Sequence, residues 1–254
     1  MFFSKKLNTF KNINHCFFSK DGGVSQGIYS SLNCGLGSDD KKSNVLKNLD
    51  IVSKKIGFTA ENLLTMNQTH SNKVVVINSS NKHIQRVSAD ALITNQKNIA
   101  ISVLTADCVP ILIYDETNHI IGSVHAGWKG AAGGIIENTI NEITKISHNA
   151  KINVAIGPCI GVNNFEVGQE FYAKFVRDTQ KNEHFFLPSK KNKFLFDLRK
   201  YINSKFEKPE IKHIDNIDFD TFSANENFFS FRRSKKAGEE DYGRCISVIS
   251  LIDD

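Results

Sequence analysis

The sequence predicts an α+β fold in one domain, and three observations carry that prediction. Apolar segments of strand length alternate with segments whose apolar residues recur at helical spacing, so neither class dominates. No repeat of fixed period and no Pro-, Gly- or Ser-rich linker divides the 254 residues. A hydrophobic fraction of 40% and a charged fraction of 23% are those of an ordinary globular chain, long enough to bury a sizeable core.

His15-Cys-Phe-Phe-Ser-Lys20 reads as a short strand, and Asp21-Gly-Gly-Val-Ser-Gln-Gly27 as a glycine turn. Ser30 to Gly37 continues as loop. Val45, Leu46, Leu49, Val52 and Ile56 then recur at helical spacing, which predicts a helix over 43–56 capped by Ser43 and ended by Gly57. Val74–Ile77 is a strand, followed by a polar turn over 78–82. Ala89–Thr94 is short and apolar, and Asn95–Asn98 turns the chain into a strand running from Ile99 to Cys108. Val109–Tyr114 and Ile120–His125 are further buried strands, separated by the turn Asp115-Glu-Thr-Asn118, whose Asp and Asn side chains favour local backbone bonds. A glycine loop over 126–134 leads into a helix through Ile135, Ile136, Ile140, Ile143 and Ile146, and Lys151–Ile156 is the next strand. Farther on, 165–168 reads as a turn, 169–177 as a helix, 180–193 as polar loop and 198–206 as a short helix. Residues 213–222, 228–233 and 245–252 read as strands, with 234–243 a charged loop between the last two.

The net charge of +5 comes mostly from scattered lysines, which suits anionic small molecules and gives no reason to expect nucleic acid. The five cysteines at 16, 34, 108, 159 and 245 lack the paired spacing of a disulfide framework. With no apolar leader core after Met1-Phe-Phe-Ser-Lys-Lys and no run near the ~18 residues of a spanning helix, no membrane association and a cytoplasmic location are expected.

Chemistry concentrates between Ala89 and Gly134. Cys108 and His125 end apolar strands there, and His70 precedes the upstream strand 74–77. Imidazole nitrogen and thiolate sulfur suit a borderline-soft ion such as Zn²⁺, and catalytic zinc sites use three protein ligands plus an open position. Asp107, beside Cys108, reads either as a turn acceptor or as a group that orients a ligand histidine or moves a proton. The same residues allow a second chemistry without metal. Cys108 would then be a thiolate activated by His125 or His70, with amides near Gly127 and Gly130 holding an oxyanion. Spacing leaves both open.

The motifs Asn67-Gln-Thr-His-Ser71, Ser88-Ala-Asp-Ala-Leu-Ile-Thr94, Thr105-Ala-Asp-Cys-Val-Pro-Ile-Leu112 and His125-Ala-Gly-Trp-Lys-Gly130 resemble those of the YfiH-like laccase-domain family. Asp21-Gly-Gly-Val-Ser25, Ala155-Ile-Gly-Pro-Cys-Ile-Gly161, Phe228-Phe-Ser-Phe-Arg-Arg233 and Gly243-Arg244 extend the likeness over nearly the whole chain. The resemblance implies a single laccase-type domain over 1–254 with an α/β/β/α layered arrangement and mixed sheets. It implies one metal, zinc with copper as the alternative, held by His70, Cys108 and His125. The implied activity is phosphorolysis of adenosine, inosine and 5′-methylthioadenosine, with metal-dependent adenosine deamination beside it. Asp107, Cys108 and His125 would be catalytic, and Lys20, Arg232, Arg233 and Arg244 would bind purine nucleoside and phosphate. Three positions depart from the family pattern: Lys20 and Leu49 stand where Arg is usual, and Asp220 where Cys is frequent. Lys20 keeps the charge but loses bidentate recognition of phosphate. Two competing activities are hydrolysis of mis-assembled peptidoglycan precursors, attributed to some bacterial relatives, and the metal-free Cys-His hydrolase.

Overall fold

The fold was obtained as a computed structural model that describes residues 1–82, 84 and 86–252; Asp253 and Asp254, the end of the expected domain, lie outside them. Two sheets form its centre. One has four strands in the order Ile13–Phe17, Cys245–Leu251, Ala100–Thr105, Leu63–Leu64. The other has six, in the order Ile211–Asn216, Ile152–Ile156, Val109–Asp115, Ile120–Ala126, Ala91–Thr94, Val74–Ile77. Both mix parallel and antiparallel pairs.

The period-2 alternation of side chains explains the layering. Leu112, Tyr114, Leu92 and Ile121 of the six-stranded sheet pack with Ile101, Val103 and Ile249 of the four-stranded sheet in one core between them. The intervening residues Ile111, Ile113, Ile93 and Val124 face the other way, onto the helix Ile135–Ile146. Ala100, Ile246 and Val248 likewise turn outward onto Val45, Leu49 and Val52 of the helix Lys42–Lys55. The layer order is therefore helix, sheet, sheet, helix, as the resemblance implied. Strands buried on both faces need apolar residues at every position, which is why they read as continuous runs. Ile135, Ile136, Ile140 and Ile143 are all at or below 1% exposure, and each contributes roughly 2 kcal/mol by apolar burial. Among the described residues no helix is long and apolar enough to cross a membrane.

The N-terminal segment is latched by a buried histidine. Ser4 donates its amide N–H to His15 Nε2 at 2.9 Å and its hydroxyl to Asp215 Oδ2 at 2.8 Å. Burial pushes His15 down to about 4, although the Asp215 charge pulls the other way. The folded state thus resists protonation that the unfolded chain accepts below about 6.5. Stability is therefore full above that value and is lost as pH falls toward 4, by up to about 3 kcal/mol. Denaturant midpoints at pH 7 and pH 4.5 are expected to fall farther in the wild type than in His15→Gln; equal falls would refute this.

Several segments differ from their sequence reading. The turn expected over 165–168 holds the strand Glu166–Gly168, which pairs with residues 193–195, the glycine loop over 126–134 holds the helix Trp128–Ala132, and the strand expected over 213–222 is Ile211–Asn216. The helix Lys42–Lys55 begins before Ser43, which does not cap it. Residues 228–233 are not a strand, because Ser230 caps Arg233 N at 3.1 Å and Gly238 closes a helix, Phe231–Ala237, in the left-handed region. The polar stretch 180–193 is not loop throughout: it holds the 3₁₀ helix Gln180–Phe185 and the strand Phe186–Pro188. There Phe185 and Phe186 join an aromatic core with Phe175 and Phe196 that only packing reveals. Cys108 does not end a strand: Ala100–Thr105 stops short of it, and Asp107 at φ 82 turns the chain from the four-stranded sheet into the six-stranded one.

Candidate metal centre

That sheet-to-sheet turn places Cys108 between two histidines far away in sequence. His125 comes from the buried strand Ile120–Ala126, and His70 from the loop before Val74–Ile77. One ligand atom from each of His70, Cys108 and His125 lies within 4.8 Å of the others. Cys108 Sγ is 3.7 Å from His70 Nε2, and the two imidazoles stand edge to face with centroids 4.7 Å apart. Beneath them Gly127 keeps the space open, since a Cβ there would sit 2.8 Å from His70 Cδ2 and 3.0 Å from Cys108 Sγ. Two imidazoles and a thiol in an open cradle fit a borderline-soft divalent ion.

The cluster is held together by charge. Burial would raise the Cys108 thiol, but the positive charge of His125 and hydrogen bonds from both imidazoles outweigh it and favour the thiolate. Burial would lower His125, and the opposing Cys108 and Asp90 charges raise it instead.

Asp90 was not singled out from the sequence. The strand register sets Ala91 against Val124, which brings Asp90 beside His125. Asp90 Oδ1 lies 2.8 Å from His125 Nδ1, and its backbone carbonyl accepts the His125 N–H at 2.7 Å. The same carboxylate accepts from the amides of His70 at 3.0 Å and Ser71 at 2.7 Å, and from the Ser71 hydroxyl at 2.7 Å. Burial would raise its pKa, but the hydrogen bonds from His125 and Ser71 hold it well below the usual carboxylate range.

Asp107 sits as a turn acceptor, the first of its two sequence readings. Its carboxylate accepts from Thr221 Oγ1 at 2.7 Å and from the Arg232 N–H at 2.6 Å, tying the turn to the start of the helix Phe231–Ala237. Burial nonetheless raises its pKa, against those hydrogen bonds.

Two clefts flank the ligand cluster. One, of about 280 Å³, is polar in character and carries Arg86, Arg244, Asn67 and Gln68 beside His70 and Cys108. The other, of about 330 Å³, is walled by Trp128, Phe165 and Phe231, with Lys129, Arg232 and Asp107. Arg244 donates to the Tyr242 carbonyl and to Asp241, and stacks over Tyr242 at 4.1 Å. Arg232 donates to the Glu166 carbonyl at 2.9 Å and lies over the Phe165 ring. The other two expected substrate groups sit elsewhere. Arg233 spends its guanidinium on the carbonyls of Thr221, Phe222 and Phe228. Lys20 lines neither cleft, and its backbone bonds Asn227, Ser31 and Leu32. Arg86, absent from the sequence reading, lines the polar cleft. The other departures are structural: Leu49 is buried on the inner face of the helix Lys42–Lys55, and Asp220 accepts from Gly161 N, Asn164 Nδ2 and Ser223 Oγ.

A family model described as "Multi-copper polyphenol oxidoreductase laccase" matches residues 14–252. A purine nucleoside phosphorylase of Rickettsia conorii is 37% identical over 216 residues, covering 83% of this chain and 89% of its own. The purine nucleoside phosphorylase YfiH of Escherichia coli is 31% identical over 246 residues, 95% of each. Among solved structures, a Neisseria meningitidis protein superposes with a TM-score of 0.85 at 31% identity over 96% of both chains. The hypothetical protein YfiH of Bacillus licheniformis gives 0.86 at 26% identity, over 94% of this chain and 93% of its own.

Proposed function

The chain belongs to the YfiH-like laccase family, and from that premise we propose that it is a metal-dependent purine nucleoside phosphorylase, built as one domain over 1–254. Adenosine, inosine and 5′-methylthioadenosine are its proposed substrates, with adenosine deamination as a second activity. The observation that carries the reading is the His70, Cys108, His125 cluster set between a basic polar cleft and an aromatic one. Purine faces stack on aromatic side chains, so the wall of Trp128, Phe165 and Phe231 takes the base. Phosphate needs cationic donors, and Arg244 and Arg86 supply them on the other side. In phosphorolysis a phosphate oxygen bonds to C1′ of the ribose while the C1′–N bond breaks, its electron pair leaving with the base. Asp107, in the aromatic cleft with a carboxyl that burial makes easier to protonate, is the proposed acid for that leaving base.

His70, Cys108 and His125 would hold the ion, zinc or alternatively copper, which when bound would supply Lewis-acid chemistry. The line Asp90, His125, Cys108 also suits a thiol nucleophile, which is the second reading. His70 favours the metal: a thiol needs one base, and here a second imidazole closes on the same sulfur.

Protein purified without added metal, analysed for metal and then incubated with adenosine and inorganic phosphate, is expected to release adenine and ribose 1-phosphate only when phosphate is present. Inosine should form in parallel, and a chelator should stop both. If metal is absent and neither product forms, the proposal fails.

A further inference from the structure

Resting on the metal reading above, we infer that Asp90 is the positioning residue of the centre, fixing which nitrogen of His125 is free to bind a cation. A carboxylate offers only acceptors, so at 2.8 Å the His125 Nδ1 must carry the proton and donate it. With Nδ1 so committed, Nε2 is the nitrogen left to release its proton and take a cation beside Cys108 and His70. Register leaves the ring no alternative partner on that side, because Asp90 takes both the backbone N–H and the side chain of His125.

The same group sets the second ligand. His70 adopts φ 58, in the left-handed region that a non-glycine residue leaves unless it is held. Its amide is held by Asp90 Oδ1 at 3.0 Å, while Oδ2 takes the Ser71 amide and hydroxyl. One carboxylate with 0% exposure thus bonds the ring of one ligand and the backbone of another. Partners of this kind typically change metal affinity by ~10–100-fold when they are altered.

Asp90→Asn removes the ring acceptor at nearly constant shape. With its oxygen in the place of Oδ2 it still accepts from Ser71, while its N–H in the place of Oδ1 faces both His125 and the His70 amide, making Nδ1 the acceptor and putting the proton on Nε2. Ser71→Ala instead removes the hydroxyl's two loop bonds, to Asp90 and from the Lys73 N–H, and leaves the tautomer alone.

The full-length chain, stripped with a chelator and titrated with Co²⁺ alone, reports binding through the thiolate-to-cobalt absorption band, and chelator competition gives the affinity. Asp90→Asn is expected to bind ~10–100-fold more weakly, with Ser71→Ala near wild type. Wild-type affinity in Asp90→Asn, or an equal loss in Ser71→Ala, would overturn the inference. Absence of any cobalt band in the wild type would overturn the metal reading and the inference together. Should Asp90→Asn fail to fold, nitrogen NMR of the Zn²⁺-loaded wild type decides the matter: protonated Nδ1 with Nε2 ligation on His125 is expected, and ligation through Nδ1 refutes it.

Discussion

Replacing Cys108 by alanine is expected to reduce phosphate-dependent release of adenine by at least ~10³-fold, roughly 4 kcal/mol of transition-state stabilisation. The sulfur stands 3.7 Å from His70 Nε2 in the cluster, and its removal leaves two imidazoles facing a gap. Cys108 lies on the turn between sheets and outside the apolar cores, so the fold should survive, with a thermal midpoint near that of the metal-free wild type. Product analysis by chromatography, together with metal content, measures the effect. A variant that keeps a tenth or more of the wild-type rate would remove Cys108 from the chemistry. Cys108→Ser separates the two readings. A serine that lost metal and activity together would speak for ligation, whereas one that kept full metal content yet lost activity would speak for a thiol nucleophile.

The second large effect is expected from one methyl group. Gly127 has φ −73 and ψ 164, which alanine adopts without strain, so any consequence of Gly127→Ala is steric. The added Cβ would stand 2.8 Å from His70 Cδ2 and 3.0 Å from Cys108 Sγ, closer than such atoms pack. Neither side chain is in the core, so the relief comes from spreading the ligands. A displacement near 1 Å at a catalytic centre costs on the order of 10²-fold in rate. kcat/KM for adenosine is expected to fall by about that factor while the denaturant midpoint stays close to wild type. Gly168→Ala, where the methyl meets nothing, is the control. If Gly127→Ala binds metal and turns over substrate as the wild type does, the cradle geometry is wrong.

Local chemistry made much of this protein legible. Both sheets have strands buried on two faces, and residues such as Ile111-Leu-Ile-Tyr114 announce that by having no polar face at all. The helix Ile135–Ile146 follows from its isoleucine spacing. His70, Cys108 and His125 are legible as a set through the family motifs that carry them. Misreadings came where local preference lost to packing. Phe228-Phe-Ser-Phe has the composition of a strand, but Ser230 and Gly238 bracket a helix there. Residues 180–188 have too many polar groups to look ordered, and their phenylalanines become structure only because Phe175 and Phe196 wait across the fold.

The site divides in the same way. Cys108 drew attention to Asp107, its neighbour in sequence, yet the carboxylate on the ligand histidine is Asp90, brought there by strand register across 35 positions. Arg232 and Arg233 look interchangeable side by side, but Arg232 reaches a cleft and Arg233 turns inward to three carbonyls. By itself the sequence determined which segments are buried and the donor types available to a cation, while the layered architecture came only through the family resemblance of its motifs. The first two are properties of composition and short-range periodicity. Only the tertiary structure decided that the donors converge, which acid orients them and which arginines face the clefts. Those depend on strand register and on a turn that carries the chain from one sheet to the other, and contacts between residues 35 and 38 positions apart leave no local trace.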